Sequence, residues 1–396
     1  MAANSELLAE RKRYDPVEMS IAVVSGLALA FTALFLCVVP LTASFAGTRD
    51  FVVFWATGQQ LVHHGDPYDA GAMRRIELSA GLPPKYPVLF MRNPPWALPL
   101  VSPLGLVGVR IGALLWSLAL LGCLLVSVRI LWDLAGRPEN QFHWLGYSFG
   151  PALLCLFIGQ TSLFALLGLA LFLRFHDTRP FVAGASLWLC ALKPHLFLPF
   201  GLVLVVWVFA TRSYKLLAGA VLAMSASCGI AWLLDPSSWI SYLRMMRGST
   251  VEKEFIPCLS DAFRLWFEPR SIWLQYLPAT IACAWALVYY WNHRDRWDWN
   301  SHGNLLVVVS VTVAPYCWLY DQCLVIPALL QGIYGARARL LPALLAMASV
   351  ALYAQFCMVN VTSALYLWAA PAWLAWYLYA RAAAGKEDML TPAVLS

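Results

Sequence analysis

Long apolar runs recur along this chain from Ile21 onward, and they restrict its possible folds more than any other feature. Hydrophobic residues make up 61% of the 396 residues and charged residues 12%. A soluble domain is about 45–50% apolar and about 25% charged. A helix that crosses a bilayer needs about 17 to 25 apolar residues. The sequence therefore predicts an all-α, polytopic transmembrane helical bundle without a separate soluble domain.

The apolar runs predict about twelve transmembrane helices in a single domain over residues 1–396. Six runs each fit one helix: 20–45, 108–132, 215–234, 273–291, 339–357 and 362–380. Three longer runs, 146–174, 181–211 and 304–335, contain polar islands at Gly159-Gln160-Thr161, Lys193-Pro194-His195 and Tyr320-Asp321-Gln322. Such an island indicates two helices that meet at a tight turn or one broken helix beside a cavity. We count each long run as a pair of helices.

An even number of helices places both termini on one side of the membrane, and the positive-inside rule makes that side cytoplasmic. Residues 1–19 and 381–396 are then cytoplasmic tails, and 46–107 and 235–272 are long extracytoplasmic loops. The short cytoplasmic connections are basic: Arg129 with Arg137, Arg174 with Arg179, Arg212 with Lys215, Arg294 with Arg296, and Arg337 with Arg339. In this topology Asp50 and all three polar islands lie on the extracytoplasmic side.

The first extracytoplasmic loop is predicted to contain a short surface helix that begins near Asp66-Pro67-Tyr68-Asp69. Its expected apolar side consists of Met73, Ile76 and Leu78, and its expected polar side of Arg74, Arg75 and Glu77. The prolines of the following stretch, "RNPPWALPLVSPLGLV", favour a re-entrant or surface element. The neighbouring pair His63-His64 lacks a facing carboxylate, so we predict no metal site and leave the pair unassigned.

Asp50 follows the first predicted helix directly, in the polar stretch "TRDFVVFWATGQQLVHHGDPYD". A partly desolvated carboxylate at this place can act as a general base if a substrate hydroxyl comes within hydrogen-bonding distance. The alternative is an interfacial aspartate that caps the next helix.

Lys193 and His195 flank a proline inside a long apolar run, where a cation is costly unless it faces a cavity or a partner. We expect Lys193 to bind a phosphate as a point charge, with His195 and the loop residue Arg92 as further donors. The alternative is a turn residue whose side chain reaches the membrane interface.

Asp321 is an acid inside another apolar run, and it is expected either to orient a substrate or to form an ion pair with Lys193 or Arg92. Tyr320 and Trp318 are substrate-binding candidates because aromatic rings stack on sugar rings. Gln160 is a further candidate, although amides in membrane helices often serve only as interhelical hydrogen-bond donors.

Other functional classes find less support. The basic residues are dispersed rather than gathered into a stripe, so nucleic acid is not an expected partner. Ten cysteines lie mostly inside apolar runs without a CxxC pair, which predicts neither a zinc site nor a disulfide framework. We therefore expect no cofactor and no metal.

Five segments in order, "DFVVFWATGQQLVHHGDPYD", "RNPPWALPLVSPLG", "GQTSLFALLGLAL", "AGASLWLCALKPHLFLP" and "APYCWLYDQCLVIPALL", resemble glycosyltransferase family 87, bacterial enzymes of the GT-C superfamily. The resemblance covers about Asp50 to Leu330. It implies a GT-C-like fold in the bacterial cytoplasmic membrane, with an extracytoplasmic active site. The acidic residue after helix one is the family's catalytic position, which is Asp50 here, and Lys193 matches the family's Lys-Pro element.

The resemblance further implies an inverting transferase that needs no metal. Such an enzyme moves mannose or arabinofuranose from a polyprenyl-phosphate carrier to a hydroxyl of a glycolipid or glycan, in contact with membrane lipids. The alternative hypothesis is a secondary transporter with an intramembrane site of Asp, Lys and His residues. Two features disfavour it: no pair of repeats is apparent, and the polar residues cluster towards one face, whereas alternating access needs both.

Overall fold

The computed structural model describes residues 15–39, 50–248, 255–335 and 340–390, which are mainly helical and contain no strand. The all-α class is confirmed. The first helices are α1 (Pro16–Val38), α2 (Phe51–Val62), α3 (Ala70–Ser79), α4 (Val109–Leu134), α5 (Gly150–Ile158), α6 (Ser162–Phe175), α7 (Pro180–Cys190) and α8 (Leu198–Ala210). The others are α9 (Tyr214–Leu234), α10 (Ser238–Gly248), α11 (Leu259–Phe267), α12 (Trp273–His293), α13 (Asn304–Val313), α14 (Ile326–Gly335), α15 (Leu340–Met358) and α16 (Ala369–Leu390).

Shorter helical segments join these elements. They are Pro95–Ala97, Leu98–Val101, Ser102–Leu106, Trp144–Tyr147, Pro194–Phe197, Arg294–Arg296, Trp299–Gly303, Leu319–Val325 and Ala364–Tyr366. Four of the described helices, α1, α4, α9 and α15, are long and apolar enough to cross a membrane. By contrast, α5, α6 and α7 have 9, 14 and 11 residues, fewer than the about 20 that a span requires. The chain is thus a membrane protein with several partial helices, and the count of about twelve spans stays a prediction.

Each polar island interrupts its helical run, and local backbone chemistry explains every break. Helix α5 ends at Gly159, whose φ of 85° is left-handed and suits glycine. Lys193, before Pro194, has a non-helical backbone with φ −137° and ψ 68°, because a residue before proline avoids the helical region. Helix α13 ends at Ala314, before Pro315. The polar side chains of the breaks therefore lie on turns and short 3₁₀ segments between the α-helices.

The predicted helix boundaries hold well where apolar runs are uninterrupted, as for α4, α9, α12 and α15. Helix α1 begins at Pro16, inside the predicted tail, because the Asp15 side chain accepts a hydrogen bond from the Val17 N–H and caps it. Residues 40–45, the predicted end of this helix, and 46–49, the predicted start of the first loop, lie outside the described residues. Helix α16 begins at Ala369 rather than 362 and continues to Leu390, inside the predicted C-terminal tail.

The surface helix predicted after Asp66 is present as α3, and Asp69 is its N-cap, with Oδ1 2.7 Å from the Ala72 N–H. The assignment of its faces was wrong at two positions. Glu77 is fully buried, whereas Leu78 is 39% exposed. Both carboxylate oxygens of Glu77 accept the Leu89 N–H, at 3.1 and 3.3 Å. This bond connects α3 to the loop that follows it. The helical periodicity of α3 alone gives no sign of such a contact.

The proline-rich stretch 95–106, which the sequence predicts to be a re-entrant or surface element, packs against α2. Trp55 donates its indole N–H to the Val107 carbonyl at 2.9 Å, and Gln59 donates to the Gly105 carbonyl at 2.8 Å. A Cβ atom on Gly58 would lie 2.6 Å from the Val101 oxygen and 2.8 Å from the Gly105 nitrogen. The two backbones approach so closely only because both glycines lack side chains.

Glu77→Gln is expected to flatten the pH dependence of stability. Burial raises the Glu77 pKa from 4.5 to about 7, against the opposing Leu89 N–H and Arg74. Its contribution to stability is complete below pH 4.5 and is lost as the pH rises towards 7. Thermal unfolding in detergent should show a loss of about 1 to 2 kcal/mol over this range, after solvent screening, in the wild type only. The exposed Glu268→Gln is the control, and an unchanged Glu77→Gln profile would contradict the assignment.

Gly58→Ala is expected to lower the stability of the protein by about 1 to 3 kcal/mol, because the new methyl group must push two backbones apart. Gly122→Ala in α4 is the matched control, since a Cβ atom there meets nothing within 4 Å. The midpoint of thermal unfolding in detergent measures both. Equal midpoints for the two variants would show that the contact between α2 and 95–106 does not constrain the fold.

Candidate active site

Four polar side chains from distant parts of the sequence form one continuous hydrogen-bonded chain. Gln160 donates from Nε2 to Asp50 Oδ2 at 2.8 Å, and its Oε1 accepts from Lys193 Nζ at 3.2 Å. Lys193 Nζ in turn lies 2.6 Å from Asp321 Oδ1. The structure therefore brings together the residue after helix one and all three polar islands.

The Lys193–Asp321 ion pair is the most enclosed part of this chain. Lys193 is 8% exposed and Asp321 is 1% exposed. Asp321 also accepts the Ser162 hydroxyl on Oδ1 and the Trp318 backbone N–H, at 3.0 Å, on Oδ2. The ammonium group lies 4.9 Å from the centroid of the Tyr320 ring, which supplies a favourable electrostatic face. From the sequence, Lys193 and Arg92 were both possible ion-pair partners of Asp321. In the structure the partner is Lys193.

Asp50 occupies the position before the first turn of α2, yet its side chain makes no capping hydrogen bond to that helix. The alternative role of a helix cap is therefore not what the structure shows. The residue is half-buried, and Gln160 holds one of its oxygens towards α5 and α6. A half-buried carboxylate with a fixed orientation has the accessibility that a general base requires.

Ser162 and Asn93 belong to this region but were not singled out from the sequence. The Asn93 side chain donates to the Leu192 carbonyl at 2.9 Å and to the Thr161 hydroxyl at 3.4 Å. It thereby fixes the loop segment beside the Lys193 turn. Asn93 could have been identified from the sequence, because it is an amide between Arg92 and two prolines. Ser162 gave no such signal, because it follows a glutamine and a threonine in a polar turn of a common kind.

The remaining candidate residues lie at the edge of the chain of hydrogen bonds. The His195 ring centroid lies 3.9 Å from that of Tyr316, so His195 faces an aromatic partner. Trp318 is half-buried, with its ring 6.2 Å from and nearly parallel to that of Tyr320. Arg92 is exposed, and its carbonyl accepts the Tyr242 hydroxyl at 3.3 Å. Trp318 contacts the polar chain through its backbone N–H, which donates to Asp321 Oδ2 at 3.0 Å.

The charges of the polar chain do not cancel. Two carboxylates, Asp50 and Asp321, accompany the single ammonium group of Lys193, so the ionised chain carries one net negative charge. The exposed Arg92 is an additional cation in this region, where it interacts electrostatically with Tyr316. His63 and His64 are exposed at the end of α2, away from these contacts. Within the described ranges, no three His, Cys, Asp or Glu side chains are grouped closely enough to hold a metal ion.

Comparison with known proteins gives one match. The model of glycosyltransferase family 87 matches residues 90–315, which is more than half of the chain. The matched part contains Arg92, Gln160, Lys193 and His195, and it leaves out Asp50 and Asp321. No curated protein and no solved structure gives a significant match.

Breaking the buried ion pair from either side should destabilise the protein more than removing both charges together. Lys193→Met and Asp321→Asn are each expected to cost about 3 to 5 kcal/mol, because each leaves a buried charge without its partner. The double variant should recover most of that loss. Thermal unfolding in detergent provides the measurement.

Arg137→Met is the matched control, because the Arg137–Asp133 pair has a similar N–O distance of 2.8 Å but an arginine side chain that is 60% exposed. Its cost should not exceed about 1 kcal/mol. Additive effects of the two single substitutions in the buried pair would be evidence against mutual charge compensation.

Proposed function

This chain belongs to glycosyltransferase family 87 and is a membrane protein, and we propose that it transfers a hexose or pentose from a polyprenyl-phosphate donor to a hydroxyl of a glycolipid or glycan. The observation that carries the proposal is the hydrogen-bonded chain that runs from the half-buried Asp50 through Gln160 to the buried pair Lys193–Asp321. Charged groups at this depth are costly in a membrane protein and are typically functional. Mannose and arabinofuranose are the proposed types of sugar.

Asp50 is the proposed general base of a single displacement. Its carboxylate accepts the proton of the acceptor hydroxyl, and the oxygen of that hydroxyl forms a bond to the anomeric carbon. The bond between this carbon and the phosphate oxygen breaks, its electron pair stays on the phosphate, and polyprenyl phosphate leaves. One displacement inverts the anomeric centre. Gln160 supports the step because its amide holds Asp50 in one orientation.

The proposed donor phosphate lies against Lys193, His195 and Arg92. Because Asp321 already neutralises much of the Lys193 charge at 2.6 Å, the added negative charge of a phosphate needs a second cation. Arg92 is suited to that role, since its side chain is exposed and a guanidinium group can bind two phosphate oxygens at once. Lys193 then contributes a fixed positive charge beneath the leaving group.

An apolar groove between α11, α12 and α13 supports a lipid-linked donor. It has a volume of about 800 Å³ and is lined by residues that include Phe263, Trp266, Ile281, Trp285 and Val313. This size is within the range of about 300–1,000 Å³ that small-molecule sites have. Val313, the last residue of α13, lines the groove. Ser260 of α11 donates to the Val313 carbonyl at 2.9 Å, and Gln275 of α12 donates to the Pro315 carbonyl at 2.6 Å, so both helices are held to the segment that leads to Trp318. A polyprenyl chain in this groove would bring its phosphate towards the polar site.

The proposed location is the bacterial cytoplasmic membrane, with both termini in the cytoplasm and the active site on the extracytoplasmic side. The basic short connections support this orientation. Lipid-linked or glycan acceptors would reach Asp50 from that side, through the loops around α3 and α10.

Asp50→Asn is expected to lower sugar transfer by about 10² to 10⁴-fold, the usual contribution of a general base, without unfolding the protein. Purified enzyme, a panel of polyprenyl-phosphate sugars and a membrane glycolipid extract provide the assay. Asp295→Asn is the control, since that side chain is 94% exposed, and it should retain wild-type turnover. Full transfer by Asp50→Asn would refute the assignment of the base.

The same preparations separate a transferase from a secondary transporter. A transferase gives labelled product when the labelled sugar is attached to the lipid phosphate, and it gives no accumulation of free labelled sugar in proteoliposomes. Uptake without transfer would favour the transporter, and the hydrogen-bonded chain would then be a substrate or proton site.

A further inference from the structure

Aromatic rings from four separate segments form a row that runs from the surface loop towards Lys193. Tyr68, beside α3, contacts Tyr242 of α10 edge to face, with 5.9 Å between centroids. Tyr316, between α13 and the Leu319–Val325 turn, packs on His195 at 3.9 Å. Tyr316 also interacts electrostatically with Tyr242, and this interaction connects the two pairs. We call Tyr68, Tyr242 and Tyr316 the tyrosine row.

The outer end of the row holds polar atoms that are buried without hydrogen-bond partners among the described residues. They are the Tyr68 hydroxyl and Asp235 Oδ2. Trp239 Nε1, whose ring lies 6.3 Å from that of Trp96, is likewise buried without a partner among the described residues. Tyr68 itself is only 8% exposed, and Asp235 and Asp66 are near enough to raise the pKa of its phenol, in addition to burial and Tyr242. A buried polar group without a partner costs about 1–3 kcal/mol. A ligand that both donates and accepts hydrogen bonds would satisfy this end.

The inner end of the row is connected to the active site. Tyr242 donates its hydroxyl to the Arg92 carbonyl, and the next residue, Asn93, bonds to the Lys193 turn through the Leu192 carbonyl. Trp96 continues this segment and donates to the Ala191 carbonyl at 2.8 Å. Tyr242 and Tyr316 are half-buried, so parts of both rings remain accessible beside the polar chain.

These tyrosines differ from the aromatic residues that anchor membrane proteins at the interface. Anchoring rings face the lipid headgroups, as the 62% exposure of Trp273 at the start of α12 allows. The tyrosine row instead packs ring against ring between loops, with carboxylates next to it. Aromatic faces combined with buried hydroxyl, indole and carboxylate groups match the alternating apolar and hydroxylated surfaces of a sugar ring.

We propose that the tyrosine row is a binding subsite for the acceptor glycan, which holds the sugar unit next to the one that carries the reacting hydroxyl. The inference rests on the proposed transferase function and adds a specificity to it: an acceptor with two sugar units binds more tightly than one with a single unit. The second unit lies on Tyr242 and reaches towards Tyr68 and Asp235.

The test compares octyl glycosides of one and two mannose or arabinofuranose units as acceptors for the purified enzyme and a polyprenyl-phosphate donor. Wild-type enzyme should have a KM about tenfold lower for the two-unit acceptor, the effect of one aromatic stacking contact. Tyr242→Ala should raise that KM about tenfold, so that the preference for the two-unit acceptor over the one-unit acceptor disappears. Tyr242→Phe retains the ring and should stay within about twofold of the wild type.

Tyr86→Ala is the matched control, because this tyrosine lies on the same loop as Tyr68 but is 46% exposed and outside the row. Equal wild-type KM values for both acceptors, or an unchanged KM in Tyr242→Ala, would overturn the subsite and leave the transferase intact. A uniform loss of kcat with a lowered unfolding midpoint would indicate a purely structural tyrosine and also overturn it. Transfer to no acceptor, including a membrane glycolipid extract, would overturn the proposed function itself.

Discussion

The buried ion pair between Lys193 and Asp321 is the interaction on which the arrangement of this site depends. An unpaired buried charge would cost several kcal/mol. Because each of the two residues neutralises the other, their ion pair holds the turn after α7 against the turn after α13. The Ser162 hydroxyl and the Trp318 backbone N–H complete the shell around Asp321. Gln160 extends the same network to Asp50. A single connected network thus sets the orientation of a carboxylate that is distant in sequence.

Broken helices make this network possible within a membrane protein. A continuous helix satisfies its own backbone and presents side chains only around its axis, whereas a break allows a turn to project polar groups inward. The left-handed Gly159 ends α5, and Ala314, before Pro315, ends α13. Lys193-Pro194 separates α7 from the short segment Pro194–Phe197. The loop segment 92–96 closes the arrangement from the outside, through Asn93 and Trp96. The backbone breaks therefore allow the polar side chains to point inward, and the contacts between these side chains stabilise the breaks.

Much of the fold and many of the site residues could be predicted, because the relevant signals are local. Apolar length located α4, α9, α12 and α15 within about two residues, and an ionisable residue inside an apolar run identified Lys193 and Asp321 as candidates. The predictions were wrong where a side chain is buried by a contact with a residue outside its own helix. Glu77 was expected on the polar face of α3, but the Leu89 N–H gives it a buried partner. Ser162 and Asn93 were missed because small polar residues in turns are common.

By itself, the sequence determined that this is a helical membrane protein, where its helices break, and which polar residues need an explanation, since these properties follow from hydrophobicity, glycine and proline along the chain. Only the tertiary structure decided which partners those residues take. Lys193 had a phosphate, Asp321 and the membrane interface as possible neighbours, and Asp50 was either a helix cap or a carboxylate facing the site. Such choices depend on distances between residues more than one hundred positions apart, and packing of the whole bundle sets those distances.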